Sequence, residues 1–491
     1  MTATVPIQVR RSSHRLGPDP GRVLAKLFIP GQEGVIEGES RAGAVAERVL
    51  ALDETEAAAT LAEVSAAFAE RHADLNETLN EHFELVAHRI EHAAALSPTR
   101  RLLVGAYFTQ EYAVQGAAVC NPSITLHPDQ GDLGQGETRF VMSLRAVGEG
   151  HRSSIEFRTG VIDRDAELRF DKPGAHLVSG RPGHPRFRRD LFHRMLKTLD
   201  DDGPSTAFVL ELLPDLFTGD ELESALRALH DQLVTRRGAT ETIDRIRWVA
   251  ASNYEVTFPF SSSISERVLS PTGPPEDHGM EDARFVRFVE DDGATTYYAT
   301  YTAFDGAHIA SQLLATADFR TFTSSQLTGR GAKNKGMALF PRRIDGRYVA
   351  LSRWDRETNA VVTSHDPTVW DDPVSLERRT EPWNLVQIGN CGSPIESPAG
   401  WIMLTHGVGP MRRYAIGAEL LDLNDPTKLI GHLTEPLLTP TEDERDGYVP
   451  NVVYSCGAIL HRDHIILPYG MADASVGVAT ISVHELLDRL T

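Results

Sequence analysis

RYVALSRW, residues 347–354, is a short apolar run entered from the turn-forming pair Asp345–Gly346 and left at Asp355. Aromatic and aliphatic residues bounded by turn formers read as a strand. From about residue 103 the chain keeps producing runs of this kind: RFVMSLR (139–145), TTYYATY (295–301), WIMLTHG (401–407) and HIILPYG (464–470). Gly, Pro, Asp and Asn punctuate them. Many short strands with such punctuation predict an all-β sandwich, barrel or propeller. Spacing alone does not choose among the three, and no WD-type repeat is visible.

Two stretches break the pattern. Phe187, Leu191, Met195 and Leu199 recur every four residues, and Leu222, Leu226, Leu229 and Leu233 form a second stripe, so residues 184–246 read as a helical insertion. Before residue 103 the spacing is also helical. It runs through Val45, Val49 and Leu52, then Leu61, Val64 and Phe68, then Leu75, Leu79, Phe83, Val86 and Ile90. Pro98 and the Arg100–Arg101 pair mark the end of this region. The division is therefore 1–102 mostly helical, 103–183 the first part of the β domain, 184–246 the insertion, and 247–491 the remainder. The apolar stripes of the helices need cover, either from the β domain or from a second copy in a homo-oligomer.

The 491 residues, 41% hydrophobic, suffice for a large core, and 49 basic against 69 acidic side chains give a net charge of −20. Such a balance disfavours nucleic acid and anionic membranes as partners, yet leaves room for an anionic small ligand in a local basic pocket. Cys120, Cys391 and Cys456 are odd in number and lack CxxC spacing, so neither a disulfide framework nor structural zinc is expected. The start, MTATVPIQVRR, has no signal-peptide core, and no window is apolar enough to span a membrane. A cytoplasmic location is expected.

His82, His88 and His92 have helical spacing, but HRIEH is not HExxH, and they read as a solvated face rather than a metal site. No metal ligand set is expected. Gly329–Gly331 is no dinucleotide fingerprint, and GxxxxGK[ST] and GxSxG are absent. More informative are GMEDARF (279–285), with Glu281, Asp282 and Arg284 together, KNKGMALFPRR (333–343), and LTHGVGPMRRY (404–414). Basic clusters at such loops in an acidic chain suggest an anion pocket. Scattered surface cations are the alternative.

These pieces, with CNPSITL (120–126), RFVMSLRAVGEGHRSSIEFRTG (139–160), ATYTAFDG (299–306), IGNCGSPIESPAGWIMLTHGV (388–408), YAIGAELLDLNDPTKLIG (414–431) and YGMADASVGVA (469–479), resemble glycoside hydrolase family 130, the β-mannoside phosphorylases and related mannosidases. The resemblance covers about 105–168 and 247–485 and implies a five-bladed β-propeller. It implies Asp282 as catalytic acid, its proton passing through the mannosyl 3-hydroxyl to the glycosidic oxygen. Asn121, Arg145, Asp305 and Asp473 match positions that hold mannose. Lys335, Arg353, His406 and Tyr414 match phosphate ligands. One position departs, since Gln387 stands where the resemblance implies a lysine; Arg412 and Arg413 are candidates to supply its charge.

The activity so implied is inverting phosphorolysis of β-mannosides to α-mannose 1-phosphate, with inorganic phosphate as co-substrate and no cofactor. An ionised phosphate needs no general base, so one carboxylic acid and a cationic cradle suffice. The alternative is an inverting β-mannosidase, which needs a second carboxylate about 6.5–9.5 Å from the first. Glu149 and Glu396 are the candidates. A non-catalytic sugar-binding propeller is the remaining class.

Overall fold

In the computed structural model, which describes residues 7–30, 41–232, 238–377 and 380–490, antiparallel meanders dominate from Ala118 onward. Among the described residues five follow one another. The first is built on Ala118–Leu126, Thr138–Val147, Ser153–Ile162 and Leu168–Phe170. The second runs Gly279–Val289, Thr295–Phe304, Ile309–Thr316 and Thr321–Gln326. The third runs Ala338–Leu339, Tyr348–Ser352, Ala360–Ser364 and Val374–Ser375. The fourth runs Gln387–Asn390, Gly400–Val408, Tyr414–Leu421 and Leu429–His432. The fifth, Val453–Tyr454, His464–Met471 and Ser475–Ser482, takes its outer strand from the other end of the chain, where Val9–Arg11 pairs with Ala479–Ile481.

The turns explain why the runs stop where they do. Asp305, Asp318, Asp355 and Asp422 each turn a carboxylate oxygen back to accept backbone N–H groups two and three residues on. An Asp can thus replace a backbone acceptor and reverse the chain. The inner strands are buried on both faces and so read as nearly continuous apolar runs, as in Gly400–Val408.

Neighbouring meanders share cores. Phe157 meets Phe285 edge-on at 5.8 Å between the first and second. Phe288, Leu313, Leu339 and Tyr348 join the second and third; Phe340, Leu351, Trp401 and Met403 the third and fourth. Ile402, Leu404, Ile465 and Leu467 join the fourth and fifth. Phe140, Met142, Ile466 and Val478 then join the fifth to the first.

Residues Asp19–Gly116 with Gly174–Ser179 form a separate compact unit. It contains helices α1 (Arg41–Leu50), α2 (Glu54–Phe68), α3 (Leu75–Val86) and α4 (Pro98–Tyr107), and a pair of strands, Val23–Leu27 with Thr109–Ala113. Asp53 and Glu56 close a capping box on α2, and Ser97 caps α4 with Pro98 in its first turn. Gly105 is where α3 and α4 touch: a Cβ there would lie 1.9 Å from the Leu79 carbonyl oxygen. The unit therefore ends at Gly116 rather than near residue 102, because α4 must be followed by the strand that pairs with Val23–Leu27. Val49, Phe83, Val86, Leu103 and Val104 pack together, so these apolar stripes find cover within the unit. His82 is not on a solvated face. It is buried, with Nδ1 2.7 Å from the Thr109 hydroxyl, and burial lowers its pKa.

The insertion also differs from its sequence reading. Phe187 lies on a strand, Arg186–Arg188, paired with Leu216–Thr218. Helices α5 (Arg189–Thr198), α6 (Pro204–Glu211), α7 (Gly219–His230) and α8 (Ala239–Ala251) carry the insertion on to residue 251. In α5 the buried residues are Phe192, Met195 and Leu196, not Leu191. A spacing of three and four turns one narrow face to the core, whereas a strict spacing of four drifts off it. Leu222, Leu226 and Leu229 are buried as expected; Leu233 lies outside the described residues. Helix α9 (Val483–Leu490) seals the fourth and fifth meanders with Leu486 and Leu490.

Candidate active site

Three polar residues sit where strands are irregular. Pairing slips between Cys120 and Ser123 and again between Glu281 and Arg284, and Asn121 (φ 47°) and Asp282 (φ 57°) occupy those bulges in left-handed conformation. Asp473 (φ 50°) holds the same conformation in the tight turn between His464–Met471 and Ser475–Ser482. Bulges re-aim side chains, and Asn and Asp tolerate this backbone best after glycine. Each such residue stores about 1–3 kcal/mol of strain, which the surrounding strands hold in place.

The side chains converge. Asn121 Nδ2 donates to Asp282 Oδ1, and Arg145 Nη1 lies 3.8 Å from the same oxygen. Arg145 Nη2 donates to Glu281 Oε1 at 2.6 Å, and Lys335 Nζ bonds the other oxygen of Glu281 at 3.1 Å. Burial, reinforced by the negative charge of Asp282, pushes Asp473 up to about 6 against the pull of Arg145 and Arg412. Thus Asn121, Arg145 and Asp473 gather round Asp282, with Glu281 linking that group to Lys335. Asp305 is not in this cluster. Its Oδ1 accepts from His308 N at 2.6 Å and Ala307 N at 2.8 Å, which lowers its pKa, and it lines a neighbouring cleft of about 1040 Å³.

A second cluster is cationic. Arg284, 2% exposed, donates Nη1 to the Asn390 carbonyl at 3.0 Å and to its side-chain oxygen, and Nη2 to Tyr454 Oη at 2.8 Å. Arg353, 8% exposed, donates Nη2 to the Arg356 carbonyl at 3.1 Å. Among the described residues neither guanidinium has a carboxylate within ion-pair distance, and the Nε of each lacks a hydrogen-bond partner. Burial lowers the pKa of Arg353, Tyr454 raises it, and Arg284 adds to the lowering.

His406 lies against both. Burial, then Arg353 and Arg284, hold it well below its ordinary value, so it is a neutral imidazole. Its Nδ1 faces the Asn390 carbonyl at 3.2 Å and so carries the proton; Nε2 is then an acceptor, 3.3 Å from the Gln387 amide nitrogen. Tyr414 stacks on His406 at 6.2 Å and 13°. Gly389 is required here, because a Cβ would fall 2.5 Å from His406 Cε1 and 2.7 Å from Arg353 Nε.

Lys335, Arg353 and Gln387 line the same cleft as Asp305. Other sequence candidates are occupied elsewhere. Arg413 donates Nη2 to the Pro440 carbonyl at 3.4 Å, and the charge of Arg412 pulls the Asp473 pKa down. Glu396 is held by Arg342 through contacts of 2.7 and 3.0 Å, and Arg343 by Glu290 at 2.7 Å. These arginines belong to ion pairs, not to the anion cluster. Arg284, Asn390 and Tyr454 are additions from the structure. The first two stand inside quoted motifs, whereas nothing in VVYSC marks Tyr454. The three cysteines also surround the site, all buried; burial pushes the Cys391 thiol up to about 12, so it stays protonated.

Comparison with known proteins bears on this arrangement. A family model described as beta-1,4-mannooligosaccharide phosphorylase matches residues 260–491. The chain is 32% identical over 226 residues to a 1,2-beta-oligomannan phosphorylase of Thermoanaerobacter sp. (strain X514), covering 45% of this chain and 75% of that one. It is 30% identical over 277 residues to a beta-1,2-mannobiose phosphorylase of the same organism, covering 55% and 89%. A solved beta-1,2-mannobiose phosphorylase from Listeria innocua, in complex with beta-1,2-mannobiose, aligns with a TM-score of 0.45 and 23% identity over 77% of this chain and 93% of that one.

Proposed function

This chain belongs to glycoside hydrolase family 130, and on that premise we propose that it is an inverting β-mannoside phosphorylase built on a five-bladed β-propeller, each meander being one blade. The observation that carries the reading is the buried pair Arg284 and Arg353, which have no carboxylate within ion-pair distance among the described residues and whose Nε atoms lack a partner. Unpaired buried charge is costly, and a bound phosphate oxyanion removes that cost through charge-assisted hydrogen bonds. Lys335, Arg353 and Tyr414 contact the anion. Arg284 supports it electrostatically, and His406 orients Gln387 and Tyr414.

Asn121, Arg145 and Asp473 bind the mannosyl unit; Asp305, which lies outside that group, lines the neighbouring cleft instead. Asp282 is the catalytic acid, and its proton passes through the mannosyl 3-hydroxyl to the glycosidic oxygen as the C1–O bond breaks. A phosphate oxygen forms the new bond to C1 from the opposite face, giving α-mannose 1-phosphate and the shortened acceptor. Phosphate arrives ionised, so no general base is required, and no cofactor takes part.

Incubation with β-mannobiose, with and without phosphate, tests this. Mannose 1-phosphate is expected only with phosphate; free mannose at saturating phosphate refutes the reading. Asp282→Asn is expected to lower turnover by about 10²-fold or more while β-mannobiose still binds in calorimetry. One observation favours a hydrolase instead: Gln387 is a neutral amide turned to His406. Under that reading a second carboxylate, Glu149 or Glu396, is the base, and its replacement by Gln abolishes release of free mannose.

A further inference from the structure

The cleft of about 1040 Å³ reaches well beyond the anion cluster. Ligand sites usually span about 300–1,000 Å³, so this one holds more than the two sugars flanking a scissile bond. Lys335, Arg353 and Gln387 line it together with Asp305 and His308, and so do Leu199 and Trp248 of the helical insertion. Leu199 follows α5 and Trp248 lies near the end of α8. Both pack one side against the insertion's core, whose centre is Phe192, Leu196, Ile246 and Val249, and turn the other side to the cleft. Leu199 thus belongs to the cleft wall and not to the core stripe that its spacing suggests.

An indole beside an aliphatic side chain, facing a polar loop, matches a pyranose, which has an apolar C–H face and a rim of hydroxyls. We propose that the insertion builds a distal sugar subsite, with Trp248 as its stacking platform, so that chain length of the β-mannooligosaccharide is read by α5 and α8. The polar side of that subsite is the Asp305–His308 turn, whose His308 side chain is 85% exposed, with Nδ1 3.4 Å from Asp305 Oδ2. The inference rests on the phosphorylase reading for its substrate class.

Phosphorolysis of β-1,2- and β-1,4-linked mannobiose, mannotriose and mannotetraose by wild type, Trp248→Ala and Trp248→Phe tests it. The kcat/KM ratio of tetraose to biose is expected to fall about tenfold in Trp248→Ala, as loss of one stacked sugar implies, and to be largely kept in Trp248→Phe. An unchanged ratio overturns the subsite, and so does an equal loss on all substrates, which marks a structural role. Calorimetric binding of the same oligosaccharides gives the same ratio without turnover. A wild-type protein that shows the affinity ratio but no phosphorolysis overturns the phosphorylase reading and leaves the subsite standing.

Discussion

Replacing Arg353 by Met separates what the anion cluster does for binding from what it does to the fold. The guanidinium is 8% exposed, is among the charges nearest Arg284, and bonds only one carbonyl among the described residues. Methionine fills much of the same channel between Gly336 and Gly389 without the charge. Exchanging unpaired or poorly paired buried charge for apolar volume stabilises by about 1–4 kcal/mol. The variant without phosphate is therefore expected to be more stable than wild type. Phosphate does the reverse: at 100 times its Kd it stabilises wild type by about 2.7 kcal/mol. That increment is expected to fall to about 1.4 kcal/mol or less in the variant, since losing a hydrogen bond to a charged group raises Kd at least about tenfold. Urea unfolding followed by tryptophan fluorescence, at zero and at 50 mM phosphate, measures both. A variant that is less stable without phosphate and retains the full phosphate increment would refute the assignment of this cluster as an anion site.

Other outcomes follow from single positions. Asp473 is held near 6, above the ordinary carboxylate value, so the folded state holds the proton more tightly than the unfolded chain. Its contribution to stability is present below pH 4 and is lost as pH rises through 6, by roughly 3 kcal/mol at most. Asp473→Asn is expected to flatten that slope between pH 4 and 6 in denaturant titrations. Gln387→Lys is expected to lower the phosphate KM several-fold with little change in the KM for β-mannobiose, measured by initial rates with each substrate varied in turn. Gly105→Ala drives a Cβ to within 1.9 Å of the Leu79 carbonyl oxygen, and forcing α3 from α4 is expected to destabilise the helical unit by about 2–4 kcal/mol. Circular dichroism melting reads that loss.

The candidate site residues are named through the family resemblance, and the structure shows that three of them stand at interruptions of the strands. Asn121, Asp282 and Asp473 lie in bulges or a tight turn, irregularities that the apolar runs along the chain do not announce. Some of their neighbours are not carried by the resemblance either. Arg284 joins Asn390 and Tyr454 across three meanders, and only the assembled sheets make that a cluster. The arginines of FPRR looked equivalent to Lys335 along the chain, yet Arg342 and Arg343 pair with Glu396 and Glu290, whereas Lys335 pairs with Glu281. Short strands carry a strong local pattern, so the β reading holds. The α5 stripe misled because Leu191 and Leu199 mimic a core spacing that Phe192, Met195 and Leu196 fulfil.

The pairing of Val9–Arg11 with Ala479–Ile481 governs the order in which the molecule can be made. Gln8 N meets Glu485 Oε2 across 477 positions, and closing so long a loop costs about 5 kcal/mol of chain entropy. On the ribosome, at about 5–20 residues per second, the leading strand waits from about 25 to about 95 s for its partner to emerge. Through that interval Ser475–Ser482 is not yet made and the fifth sheet has no latch, so the four preceding sheets must stay apart from foreign strand edges on their own. A chain stopped before residue 475 keeps Asp282 and both buried arginines but never closes.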